Sequence, residues 1–183
     1  MLPEVQQLVN EIDAARTDLV RRVEHLTAEQ GAHQPTPDTW SITEVIEHLV
    51  WAELNGLNSM MVAMEASRRG EPVWTAENPN RGKHIEEIVQ RTWRAKETAP
   101  LGAEPKMGGP LPYWVALFRA SQQVVERVAE EIRADELDDV IYPHFLSGPL
   151  TMRQRLEFLR YHMQHHMSQV AAIRKAMADT RLR

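Results

Sequence analysis

The sequence predicts an all-α protein built as a bundle of four long helices. Four segments place apolar residues every three or four positions, the spacing of a helix with one buried face. No segment shows the strict alternation of a half-buried strand. The chain of 183 residues has no internal repeat and no low-complexity stretch, and it is long enough to bury a core as one domain over residues 1–183.

The first helix is expected over residues 3–26, where Val5, Leu8, Ile12, Ala15, Leu19, Val23 and Leu26 share a face. Pro3 suits a first turn, and Thr27 with Gly31 is the expected stop. A loop marked by Pro35 and Pro37 follows. The second helix starts at Ser41, because Ser41-Ile42-Thr43-Glu44 has the Ser-x-x-Glu pattern of a capping box. It runs to about Arg69, where Gly70 and Pro72 end it, and Ile42, Ile46, Leu49, Leu57, Met60 and Met64 make its apolar face. Residues 70–109 are mixed, with a short helix expected from His84 to Glu97 between stretches rich in Gly and Pro. So long a connection suits a crossover better than a tight hairpin. Pro110 opens the third long helix, to about Ala134, and residues 135–150 are expected to be loop. Thr151 then caps the fourth, to Met177, with Met152, Leu159, Met163, Val170, Ile173 and Met177 inward.

Composition narrows the function. Hydrophobic residues at 43%, charged residues at 26% and a net charge of -5 describe an ordinary soluble protein and argue against a nucleic-acid partner held by bulk charge. No apolar run approaches the roughly 20 residues of a membrane span, and the N-terminal stretch lacks the basic start and apolar centre of a signal peptide. No membrane partner and a cytoplasmic location are therefore expected. Without cysteine there is no disulfide, no zinc-thiolate site and no thiol nucleophile, so a transition-metal site must use His and carboxylates.

The fourth helix carries the residues of most interest. His162 and His166 are four apart, within the arc of its apolar residues, so their imidazoles stack on the inward side. His165 lies about 100° round. Two inward histidines need partners for their nitrogens, and the spacing leaves two readings open: a divalent metal, or hydrogen bonds in the core. On the second helix His48 sits at the shoulder of the apolar face, level with the smaller Val45, Ala52 and Ser59. Together the three make a candidate site with a coordination position left for water or substrate. Gln169, within about 20° of His162 on the wheel, is a candidate to orient a ligand, or a satisfied interior amide. Glu53, about 140° from His48, is expected to be a buried partner of an arginine.

Other residues have plainer expectations. His144 is expected to stabilise a loop, and His25, His33, His84 and His165 to be on the surface. Trp51, Trp74, Tyr113 and Trp114 are read as core or dimer contacts, with a substrate mouth as the alternative. Met60, Met61 and Met64 fill core, Glu126, Glu130 and Glu131 form a solvated face, and Arg181-Leu182-Arg183 is a loose tail.

Two motifs more than 100 residues apart resemble a known family. Trp40-Ser41-Ile42 leading to Glu47-His48-Leu49 is similar to the start of the second helix in the DinB-like (DinB/YfiT) metalloenzyme superfamily. His144…Gly148-Pro149-Leu150-Thr151…Leu156-Glu157-Phe158-Leu159…His162-x-x-x-His166-x-x-Gln169 is similar to that family's second signature. The resemblance implies a four-helix bundle of up-down-down-up order, with a long connection between helices two and three. It implies a divalent metal, commonly nickel or zinc, on His48, His162 and His166, and a homodimer. Characterised relatives include thiol-dependent S-transferases and isomerases that use low-molecular-weight thiols.

Two functions follow as expectations. One is a metal-dependent transferase or hydrolase acting on a small molecule, in which the ion activates a thiol or water; no residue announces itself as catalytic beside the ligands. The other is a non-enzymatic stress-response or dimeric binding protein with a structural or regulatory metal. A metal-free bundle would leave His48 far from the other two.

Overall fold

The computed structural model describes residues 1–93, 99–100 and 102–181. It is mostly helical: α1 (Pro3–Val23), α2 (Ala28–Ala32), α3 (Ile42–Arg68), α4 (Ile85–Thr92), α5 (Leu111–Glu131), β1 (Ile141–His144), β2 (Gly148–Thr151) and α6 (Met152–Arg181). The four long helices of the sequence reading are α1, α3, α5 and α6. Each of α1 and α3 packs on both α5 and α6, and their apolar faces close one core that includes Val5, Ile12, Leu19, Ile46, Leu57, Met64, Phe118, Val125, Leu156 and Val170. No helix among the described residues is long and apolar enough to cross a membrane.

Local chemistry sets the helix ends. Ser41 Oγ accepts from the Glu44 N–H (3.2 Å) and Glu44 Oε2 accepts from the Ser41 N–H (2.7 Å), the reciprocal box expected at the start of α3. Thr151 and Gln154 do the same for α6, at 3.2 and 3.1 Å. Thr27 departs from its expected role. It does not stop α1, which ends at Val23; it opens α2 through a capping box with Gln30. Gly31, in that short helix, passes so close to α3 and α5 that a Cβ would meet Leu111 Cβ and Thr43 Oγ1 at 3.0 Å.

The buried polar tie of the core is Arg16 on α1. It donates to Glu53 Oε2 on α3 (2.8 Å), and on α5 to the Phe118 carbonyl (2.7 Å), Ser121 Oγ (2.9 Å) and Gln122 Oε1 (3.1 Å). Glu53 thus has the arginine partner its place on the helix suggested. Both charges are out of water, so the pair specifies how three helices meet more than it adds stability.

The main departure lies in residues 135–150, expected to be loop. Ile141–His144 and Gly148–Thr151 form an antiparallel hairpin with Ile141 opposite Thr151 and His144 opposite Gly148. Pro143 faces Pro149, a pairing that asks for no N–H from either residue. Asn80, in the connection after α3, donates from Nδ2 to the carbonyls of Ser147 (2.9 Å) and Pro149 (3.0 Å), and Gln154 of α6 donates back to the Asn80 carbonyl (2.6 Å). Ile85, Ile88 and Val89 of α4 pack with Leu150 and Phe158 as a second apolar cluster. The hairpin and α4 are thereby fixed against α6, on the side where its histidines emerge. Beyond Thr92, the expected continuation of α4 through residues 94–97 lies outside the described residues, as do residues 182–183 of the tail.

Candidate metal centre

The packing of α3 against α6 brings His48 to His162 and His166. All three side chains are buried, at 5%, 8% and 7% exposure. His48 Nε2 and His166 Nε2 each lie 3.1 Å from His162 Nε2, and one nitrogen from each ring falls within 4.8 Å of the others. The reading in which His48 stands apart from the pair is excluded by this geometry.

The opposite nitrogens fix the tautomers. His48 Nδ1–H donates to the Ala103 carbonyl at 2.7 Å, and His166 Nδ1–H donates to Gln169 Oε1 at 2.8 Å. Gln169, expected near His162 on the wheel, therefore acts on His166, three residues before it. With protons held on both Nδ1 atoms, the Nε2 atoms of His48 and His166 present lone pairs toward His162. A proton on His162 Nε2 can serve one of them at a time, and the other stays without a donor; a cation at the common point serves all three. With zinc–nitrogen bonds of about 2.0–2.1 Å, two imidazoles sharing an ion hold their nitrogens roughly 3 Å apart, which matches the two 3.1 Å contacts. The donor set fits a divalent metal.

Electrostatics agree. Burial holds the His48 imidazole below its ordinary pKa, and burial followed by the neighbouring rings holds His162 well below it. His166 is pushed down to about 3, again chiefly by burial. All three are neutral bases near pH 7, the form that binds a metal. Trp40 lies 4.9 Å from the His48 ring and Phe158 stacks on His162 at 5.3 Å, so the rings are held by aromatic walls.

The model of the DinB superfamily matches residues 11–170. The chain belongs to the DinB superfamily. Among known proteins it is similar to the uncharacterized protein YuaE of Bacillus subtilis (strain 168), 24% identical over 168 residues, covering 88% of this chain and 93% of that one. Its fold is similar to a crystal structure of a conserved protein from Enterococcus faecalis, with a TM-score of 0.56, 14% identity, and coverage of 96% of this chain and 98% of that one.

In this DinB-superfamily chain the histidines form part of the wall of an open cleft of about 1490 Å³. Its aromatic lining is Trp40, Trp93, Tyr142, Phe145, Phe158 and Tyr161. The aromatics singled out from sequence are elsewhere: Trp114 is fully buried and donates to the Gly108 carbonyl, Trp51 packs on it, and Tyr113 is half exposed. Trp74 is likewise absent from the described lining. His144 accepts the Leu146 and Ser147 N–H groups on Nδ1, at 3.3 and 3.1 Å, the loop-holding role expected of it. His165 is exposed, as are His25 and His84, whereas His33 is half-buried.

Sequence reasoning passed over Glu47. Its carboxylate is fully buried and accepts the backbone N–H groups of Lys106 (2.6 Å), Met107 (2.7 Å) and Gly108 (3.0 Å). It anchors the segment that carries Ala103, hence the carbonyl that orients His48. Its only signal was its place beside His48 in the motif.

Proposed function

We propose that this protein binds one divalent metal, nickel or zinc, through His48, His162 and His166, and uses it as a thiol-dependent S-transferase or hydrolase on a small molecule. The observation that carries this reading is the convergence of three neutral Nε2 atoms on the wall of an open cleft. Imidazole suits either metal. When bound, the cation supplies Lewis acidity, which lowers the pKa of a thiol or water brought to it.

The chain's own residues do the rest. The Ala103 carbonyl and Gln169 keep His48 and His166 in the tautomer that turns Nε2 inward, and such partners raise ligand basicity. Trp40 packs against the His48 ring and Phe158 against the His162 ring, which limits how far those rings can turn. The aromatic lining offers a substrate an apolar wall, while the open side admits it. With three protein ligands a position remains for the thiol or water, as a catalytic site requires.

The same reading takes the four long helices as an up-down-down-up bundle, supported by the long connection between α3 and α5, and takes the protein as a cytoplasmic homodimer. Elemental analysis of protein purified without a histidine tag tests the metal. One equivalent should be present and should disappear in His162→Ala and His166→Ala. Metal-free wild type after supplementation with nickel and zinc would refute the reading. The loaded protein should then turn over a low-molecular-weight thiol with an electrophile; stoichiometric metal with no turnover across a broad panel would assign the ion a structural or regulatory role.

A further inference from the structure

We propose that the cleft binds a small molecule carrying a single carboxylate, and that Arg155 is the residue that anchors it. This deepens the metal-site reading by naming a substrate class, and rests on that reading for what lies at the ligand's other end.

Arg155, on α6, is only 6% exposed. Among the described residues its one hydrogen bond is a long contact from Nη2 to the Gly56 carbonyl at 3.4 Å, and its guanidinium carbon lies 5.9 Å from the Tyr142 ring centroid. No carboxylate of the described residues pairs with it. Arg16, equally buried, makes four hydrogen bonds including one to Glu53, and that contrast carries the inference. A guanidinium has five N–H donors, and a buried one without acceptors is unfavourable unless something supplies them. Burial lowers its pKa to about 10, so it remains a cation at neutral pH.

Its position tells what the acceptor is. Arg155 lines the same cleft as the histidines and is the sole Arg or Lys among the described lining residues. Of the other titratable groups there, His144 is neutral at pH 7, held down to about 3 by burial. Glu44 is engaged by its cap and by Gln34, Glu104 by Lys106, and Asp38 is exposed. One buried positive charge matches one negative charge, and the planar fork matches a carboxylate in bidentate fashion. At Arg155 itself, about 10 Å along the helix from the histidines, a phosphate dianion would carry one charge more than the single guanidinium offsets. Gly56 makes room, since a Cβ there would stand 3.1 Å from Nη2.

Arg155 and His162 are seven positions apart, which is two helical turns on one face and about 10 Å along the axis. A ligand held by its carboxylate at Arg155 thus reaches the histidines with an apolar body of about that length. Tyr142 lies beside Arg155, and Phe158 and Trp93 lie beside His162; all three line the cleft and suit a flat or extended apolar group.

Cinnamate, its uncharged isostere cinnamamide, and phenylphosphonate serve as probes, titrated into zinc-loaded full-length protein by calorimetry and by tryptophan fluorescence. Wild type should bind cinnamate saturably and cinnamamide at least about tenfold more weakly. Arg155→Gln should lose at least tenfold in cinnamate affinity, Arg155→Lys should keep an intermediate affinity, and both should bind zinc as wild type does. Gly56→Ala, which retains the charge but crowds it, should weaken cinnamate several-fold and decides the matter if Arg155→Gln fails to fold. Equal cinnamate affinity in these variants, absence of saturable binding at millimolar cinnamate in wild type, or tighter binding of phenylphosphonate than of cinnamate would overturn the proposal. Wild type that takes up no zinc would refute the metal reading, and saturable, Arg155-dependent cinnamate binding by that same protein would leave this one standing.

Discussion

At the scale of single residues, the candidate site depends on groups that hold the histidines as much as on the histidines. Gln169 accepts the His166 Nδ1 proton, and removing such a partner weakens a metal site about 10- to 100-fold. Gln169→Leu should therefore fold normally but lose metal to a competing chelator at a concentration lower by that factor. Glu47→Ala removes a buried carboxylate and the acceptor of three backbone N–H groups, at a cost of about 3 kcal/mol for bonds to a charged group, readable as a lower urea midpoint. The His162 and His166 spacing was legible because four residues on a helix return to one face. His48 was legible only as a shoulder residue, since spacing within one helix says nothing of which helix lies opposite. Arg155 and Glu47 were not legible: Glu53 stood out by its place on the helix, whereas what covers these two is seen only in the fold.

At the scale of elements, the four long helices could be read from periodicity and caps, while the hairpin could not. Two four-residue strands each carrying a proline give no alternation to find, and what holds them is tertiary: Asn80 from the connection and Gln154 from α6. His144 adds the local tie across the turn. Its Nδ1 must be unprotonated to accept two N–H groups, and burial holds its pKa down to about 3. In the unfolded chain the same ring takes a proton near pH 6.5. The unfolded state thus binds more protons between about 6.5 and 3, and the stability this group contributes is full above that window and lost on descending through it. His144→Ala should flatten that part of the urea-stability profile and cost about 1–2 kcal/mol at pH 7. For the Arg16–Glu53 pair, Glu53→Ala should destabilise by about 3–5 kcal/mol, because it strands a buried cation, whereas Arg16→Met with Glu53→Leu should recover most of that loss. Equal losses in the single and double variants would contradict the buried-charge account.

At the scale of the whole molecule, acid should unfold the protein in two stages. Neutral buried imidazoles lose their advantage first, from about pH 6.5 down, and for His166 and His144 the loss runs on until about 3, where it is complete. Carboxylates follow: the Arg68 hydrogen bonds hold Glu136 below the ordinary range, and Arg153 does the same for Asp138. Their stabilisation is present above about pH 4.5 and vanishes as pH falls through their depressed values. Circular dichroism of metal-free protein along a pH series checks the order; added zinc should shift the first stage to lower pH, since protons and metal compete for the same nitrogens.

The chain order of the three imidazoles has one more consequence. His48 precedes the connection between α3 and α5, and His162 and His166 follow it, so neither half of the polypeptide owns a complete donor set. If the peptide bond were cut within residues 70–109, zinc retention at sub-stoichiometric metal would occur only where the two fragments reassociate. The ion would then report complementation directly, with each fragment alone silent.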